Sequence, residues 1–201
     1  MSGYLLLLRG GDYYTAPALS QVMAPVTGEG LRGILSYIGF KNVRIQPETG
    51  DAAFEAIDNN RRKMEAEIGY ELKHAFRTDR GVVLLTQEEF RAMAARHPLS
   101  DRGDEDKLFI TILTHEPARE DVAMLMETMN GVDEHAVIGK AVYSYYGAGY
   151  ESSRRSTEFI EKVMKIQAAT RTWKALRALL GLLSNEKLDV DSGARRSIPR
   201  Q

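Results

Sequence analysis

One order of elements runs through this sequence twice, and that order leaves few folds open. Residues 3–9 include Tyr4-Leu5-Leu6-Leu7-Leu8-Arg9, a run of leucines with no polar face, so the first strand is expected to be covered on both sides. Gly10-Gly11-Asp12 ends it, and Tyr13 to Gly28, interrupted by Pro17 and Pro25, reads as irregular chain or broken helix. Leu31, Ile34, Leu35 and Ile38 then share one helical face, with Gly39 as the stop. Val43 and Ile45, with Pro47 after them, mark a second strand. Glu48-Thr49-Gly50-Asp51 supplies a turn, and Ala53-Phe54 starts the return strand. A charged amphipathic helix is expected from Ile57 to Ile68, closed by Gly69. Residues 71–77 and 82–85 read as strands around Thr78-Asp79-Arg80-Gly81. Thr86-Gln87-Glu88-Glu89 has the spacing of a capping box, in which the threonine hydroxyl accepts a backbone N–H and Glu89 reaches back; that helix runs to about Arg96, before Pro98.

Across Asp101-Arg102-Gly103-Asp104-Glu105-Asp106 the series returns. Lys107–Thr114 alternates β-branched residues like a strand, and Val122, Leu125, Met126 and Met129 form the stripe of a helix stopped by Gly131. Ala136–Ile138 and Ala141–Tyr146 flank Gly139-Lys140 as a hairpin. Two closing helices are expected over 154–164 and 171–183, and periodicity fades from Ser184 into a basic tail with Arg195, Arg196 and Arg200. Twice β-α-β-β with covering helices predicts an α+β fold. It is two ferredoxin-like halves packed into one unit, with mostly antiparallel sheets. The halves are 1–98 and 107–184, joined by an acidic linker at 99–106 and followed by a flexible tail at 185–201.

Composition removes several classes of function. The 201 residues include no cysteine, so disulfides, thiolate zinc sites and cysteine nucleophiles are excluded. Met1-Ser2-Gly3 gives no basic leader, and the apolar run that follows is too short for a signal peptide. No stretch approaches the roughly 20 apolar residues of a membrane span, which with the missing cysteines points to the cytoplasm. A net charge of −1 gives no global attraction to nucleic acid, so any anion site must be local.

Such a site is suggested by the starts of the two closing helices. Ser153-Arg154-Arg155 and Thr170-Arg171-Thr172-Trp173 put arginines where a helix dipole favours acids, at a cost of about 0.3–1 kcal/mol each unless an anion compensates. Ser153 and Thr170 can cap, and guanidinium groups suit phosphate or carboxylate. The expected pocket joins Ser153, Arg154 and Arg171 with Arg9 from the end of the first strand. The competing reading pairs these arginines with Asp or Glu across the interface of the halves. Trp173, the single tryptophan, could stack on a ligand beside Arg171 and Lys174, or pack in the core.

Other motifs carry less. Gly28-Glu29-Gly30-Leu31-Arg32-Gly33 matches Gly-x-Gly-x-x-Gly, but no buried strand runs straight into it, so it reads as a glycine-rich helix entry rather than a dinucleotide site. His74, His97, His115 and His135 have no metal-binding spacing, and no cofactor motif is present.

The order and spacing of several short motifs resemble a bacterial family, domain-of-unknown-function family 1697. They are Leu8-Arg9-Gly10, Leu31…Leu35…Ile38-Gly39-Phe40-Lys41-Asn42-Val43, Thr49-Gly50-Asp51…Phe54, Val137-Ile138-Gly139…Val142-Tyr143, Ser153-Arg154, Glu161-Lys162 and Thr170-Arg171-Thr172-Trp173-Lys174. The resemblance implies the fold and brings no activity with it. Gly11-Asp12-Tyr13-Tyr14 and Pro47-Glu48 depart from that family's pattern, and residues 70–80 read as an added hairpin arm. The preferred functional expectation is a non-catalytic binding protein for a small anionic, phosphorylated ligand. The alternatives are an enzyme acting on a phosphorylated substrate, and a nucleic-acid-binding or structural module using the basic C-terminal surface. Oligomeric state is left open.

Overall fold

The computed structural model describes residues 1–9, 26–57, 59–78, 81–128, 133–147, 150 and 157–183. Its first half runs β1 (Ser2–Leu8), α1 (Gly28–Ile38), β2 (Lys41–Ile45), β3 (Ala52–Ala56), α2 (Arg61–Phe76), β4 (Val82–Thr86) and α3 (Gln87–Ala95). The second half repeats that order as β5 (Leu108–Leu113), α4 (Arg119–Thr128), β6 (Glu134–Ile138), β7 (Ala141–Tyr145), α5 (Thr157–Met164), β8 (Ala168–Thr172) and α6 (Trp173–Gly181). Two four-stranded sheets result, ordered β2-β3-β1-β4 and β6-β7-β5-β8, and every strand pair is antiparallel. This is the ferredoxin-like β-α-β-β-α-β plan twice, each copy followed by one helix.

The leucine run explains itself here. Along β1, Leu5 and Leu7 face a core shared with Ile110, Ile112 and Tyr143 of the second sheet and with Phe90, Trp173, Leu176 and Leu179 of α3 and α6. Tyr4, Leu6 and Leu8 point the other way, onto Leu31, Leu35, Met64, Ile68 and Leu72 of α1 and α2. A strand with helices or sheet on both faces has no solvent side to place polar residues on. The capping box forms as expected: Glu89 N–H donates to Thr86 Oγ1 at 3.1 Å, and Thr86 N–H donates to Glu89 Oε2 at 2.8 Å. Its counterpart in the second half is Thr172, the last residue of β8, which caps α6 through Ala175 N–H at 3.1 Å.

Three expectations are corrected. Residues 71–76 are the second half of α2, not a strand or a hairpin arm: Met64, Ile68 and Leu72, with half-buried Phe76, recur every fourth residue on one buried face. Gly69 does not stop that helix, because it keeps helical backbone; the stop is Arg77 in the left-handed conformation, φ 50°. The last helix starts at Trp173 rather than at residue 171, because Ala168–Thr172 pair with β5 as an edge strand. In α4, Leu125 is buried and Val122 half-buried, whereas Met126 is 40% exposed and leaves the predicted stripe. The acidic linker forms two short 3-10 turns whose charges are held, Arg102 by Glu134, Glu105 by Arg177 and Asp104 by Lys107. The irregular segment at 13–25, Met129, Gly131 and the basic tail lie outside the described residues.

Candidate functional site

Arg171, expected in the first turn of a helix, sits instead in β8 and is buried. Its Nε and Nη2 donate to Asp51 Oδ2 and Oδ1, each at 2.7 Å; Nη2 also reaches the Leu8 carbonyl at 2.8 Å, and Nη1 the Thr170 carbonyl at 2.7 Å. Asp51 in turn accepts the Leu8 N–H at 3.1 Å. Arg9 is likewise engaged: its Nη2 lies 2.7 Å from Glu161 Oε1 on α5, and that oxygen also takes the Ala168 N–H at 2.6 Å. Both arginines thus contact carboxylates of the other half. Trp173 packs between the sheets against Phe90 and His97, with ring centroids 5.8 and 4.7 Å away. Ser153 and Arg154 lie outside the described residues.

A second set of charges spans the halves from the opposite direction. Lys140, in the β6–β7 turn, places Nζ 3.0 Å from Glu89 Oε1, and Arg61 Nη2 is 2.6 Å from Glu89 Oε2. Burial pushes the Glu89 carboxyl up, but the Thr86 N–H, Arg61 and Lys140 outweigh it and hold the group below its ordinary value. Burial pulls the Lys140 ammonium down, against the opposing pull of Glu89. Glu65, on α2, accepts the Leu84 N–H at 3.0 Å, and burial raises its carboxyl above the usual range.

The glycine-rich motif has a packing explanation. A Cβ on Gly30 would stand 2.3 Å from Phe76 Cζ, and one on Gly28 3.1 Å from Ile45 Cγ2, so these glycines let α1 approach α2 and β2. Gly33 has open space around it. A cleft of about 630 Å³ lies at the start of α1, lined by Val26, Glu29, Arg32, Ile45, Gln46 and Pro47 among others; the charges of Arg32 and Glu29 offset each other there.

The feature that sequence reasoning missed emerges when the two sheets are compared position by position. In the first sheet Leu6 lies between Ala52 and Leu84; in the second Thr111 lies between Val142 and Thr170. Two residues along, Tyr4 pairs with Phe54 and Thr86, and Phe109 with Ser144 and Thr172. The capping threonines Thr86 and Thr172 therefore coincide, which fixes the equivalence. On the helix-covered face, Leu6, Phe54 and Leu84 of the first half are replaced by Thr111, Ser144 and Thr170 of the second.

These hydroxyls form two polar groups, one of threonines and one of Ser144 with His135. Thr170 Oγ1 is 2.8 Å from Thr111 Oγ1 and accepts from Thr157 Oγ1, at the first residue of α5, at 2.7 Å. Ser144 Oγ lies 2.9 Å from Nδ1 of His135 across the β6–β7 pair. Aromatic rings flank them: Phe109 stacks on Tyr150 at 4.7 Å and meets the Tyr146 edge at 5.3 Å. Thr111 and Ser144 are each 1% exposed. The signal available in the sequence was the second-half strand Leu108-Phe109-Ile110-Thr111, where a hydroxyl interrupts an otherwise apolar strand. Among the described residues no group of His, Asp and Glu has the arrangement of a metal site, and no helix is long and apolar enough to cross a membrane.

A conserved bacterial protein, SP0830 from Streptococcus pneumoniae, has the same fold, with a TM-score of 0.65 and 17% sequence identity over 91% of this chain and 99% of that one. No curated protein matches the sequence. The family described as protein of unknown function (DUF1697) matches residues 23–143, more than half of the chain. With the double ferredoxin-like plan in place, that match assigns the chain to its family: it belongs to DUF1697, a family of proteins of unknown function.

Proposed function

We propose that this protein binds a small anionic, phosphorylated ligand without transforming it, at the end of the second sheet where α5 begins. The observation that carries the reading is the replacement of Leu6, Phe54 and Leu84 by Thr111, Ser144 and Thr170 at equivalent positions beneath the helices. A fold that is stable with apolar residues there gains no packing from hydroxyls, whereas a ligand rich in acceptor oxygens needs donors. The hydroxyl chain leads to Thr157, and Ser153, Arg154 and Arg155 lie just upstream of it in the sequence, with Ser156 between. In this reading Arg154 neutralises charge while the half-buried Thr157 and Thr170 fix orientation. Arg9 and Arg171 hold the halves together and leave the ligand to this group, because each already faces a carboxylate.

A thermal-shift and calorimetric screen with inorganic phosphate, a nucleoside monophosphate, a hexose phosphate, citrate and a short oligonucleotide tests it. Saturable binding of one phosphorylated compound is expected, weakened about tenfold by Arg154→Ala and by Thr170→Val, which keeps the shape and deletes the hydroxyl. Absence of binding at millimolar concentration sinks the reading.

The enzymatic alternative has one specific observation in its favour, the 2.9 Å contact between Ser144 and His135, a nucleophile and a base within reach of each other. The burial of Ser144 weighs against it. Turnover of a phosphorylated or ester substrate that disappears in both Ser144→Ala and His135→Ala would establish it in place of simple binding.

A further inference from the structure

Strand register decides which backbone N–H groups of the edge strands β4 and β8 face away from their sheets. Arg9 N–H donates to the Gly81 carbonyl at 2.9 Å, and Thr114 N–H to the Gln167 carbonyl at 3.0 Å, so hydrogen-bonded pairs alternate from those positions. Leu84 and Thr86 on β4, and Ala168, Thr170 and Thr172 on β8, fall between them and turn their N–H groups outward.

The first half meets Leu84 and Thr86 with carboxylates. Glu65 on α2 takes the Leu84 N–H at 3.0 Å, and Glu89, the third residue of α3, takes the Thr86 N–H at 2.8 Å. The equivalent groups of the second half belong to Thr170 and Thr172, and neither N–H has an acceptor among the described residues. Glu161, the carboxylate of α5, stands earlier along the strand, on the Ala168 N–H at 2.6 Å. The side chain that reaches Thr170 is Thr157, and it gives its hydrogen to Thr170 Oγ1. Ala175 is the third residue of α6, where α3 has Glu89, and the first turn of α6 holds no acid. Thr170 and Thr172 are half-buried, and a half-buried N–H without an acceptor favours one supplied from outside.

We propose that the ligand carries two acidic groups, and that they take the places held in the first half by Glu65 and Glu89, one on the Thr170 N–H and one on the Thr172 N–H. The inference rests on the binding reading above and narrows it. Residues two apart on a strand are separated by about 6.8 Å, too far for the oxygens of one phosphate. Two phosphates, or a phosphate and a carboxylate, joined by a short carbon chain span that distance.

Titration of the full chain with 3-phosphoglycerate and with glycerol 3-phosphate, followed by amide nuclear magnetic resonance, compares probes that differ by one acidic group. Phosphoglycerate should bind about tenfold more tightly, the effect of one added charge-assisted hydrogen bond, and should shift the Thr170 and Thr172 amide signals together. Ala175→Glu supplies the carboxylate that α6 lacks; it should abolish the advantage while raising the thermal midpoint. Ala175→Gln reaches the same N–H without a charge and should also abolish it, which separates occupancy from repulsion. Equal affinity for the two probes, an advantage that survives both variants, or binding that leaves both amides unmoved overturns the two-acid inference and leaves single-phosphate binding standing. If neither probe nor inorganic phosphate binds at millimolar concentration, the binding reading falls with it.

Discussion

Arg171 and Asp51 form a buried, two-pronged ion pair, Nε to Oδ2 and Nη2 to Oδ1 at 2.7 Å each, between residues 120 apart in sequence. The pair fastens the last strand of the second half to the β2–β3 turn of the first. Through the Leu8 N–H and carbonyl it also secures the end of β1. The planar guanidinium suits this geometry and an ammonium does not.

Removing one partner strands a buried charge. Arg171→Ala and Asp51→Ala should each lower unfolding free energy by about 3–5 kcal/mol, and Arg171→Lys should recover little of it, as measured by urea denaturation. A loss below about 1 kcal/mol would mean that the pair does not hold the halves together.

His97 makes stability depend on pH. Burial beside Trp173 and Tyr143 lowers its pKa from 6.5, and Nδ1 accepts the Leu99 N–H at 3.2 Å. The folded state therefore holds it neutral, while an unfolded chain takes up the proton near the ordinary value. As pH falls below 6.5 the unfolded state binds more protons, and stability should decline until the lowered folded pKa is passed. His97→Asn, which keeps an acceptor for Leu99, should flatten the decline between pH 7 and 5; an unchanged slope would assign it to other groups.

Glu65 has the opposite linkage. Its carboxyl is raised above 4.5, chiefly by burial, so its ionised form destabilises the fold at neutral pH and the cost vanishes below 4.5. Glu65→Gln keeps an acceptor for the Leu84 N–H. It should raise the thermal midpoint at pH 7 and leave it nearly unchanged at pH 4. A lower midpoint at pH 7 would show that attraction to Arg61 and Lys140 outweighs burial.

The glycines of α1 should respond differently to one added methyl. Gly30→Ala drives a Cβ against Phe76 and should cost about 1–3 kcal/mol, part of which Phe76→Leu restores. Gly33→Ala meets nothing within 4 Å and should stabilise by about 0.5–1 kcal/mol through helix propensity. Equal effects at the two positions would contradict the packing explanation of the motif.

Much of this architecture follows from local pattern. The leucines of β1, the apolar face of α1 with its stop at Gly39, the Thr86–Glu89 box and the β6–β7 hairpin are set by residues within a few positions of one another, where period, cap and turn chemistry act directly. The sequence by itself thus determined the repeated order of elements and the α+β class, and excluded cysteine chemistry. Tertiary structure decided what rests on distant partners. Thr170-Arg171-Thr172 has the look of a helix start, yet pairing with β5 makes it the end of a strand, since ladder hydrogen bonds outweigh a weak local propensity. Arg171 read as an uncompensated charge until the fold brought Asp51 to it. The hydroxyls of Thr111, Ser144 and Thr170 are scattered in sequence, and only strand register aligns them on one face. Local pattern fixes which elements form. Which side chains meet is fixed by packing across the chain, because contact chemistry acts over a few ångströms and has no regard for sequence separation.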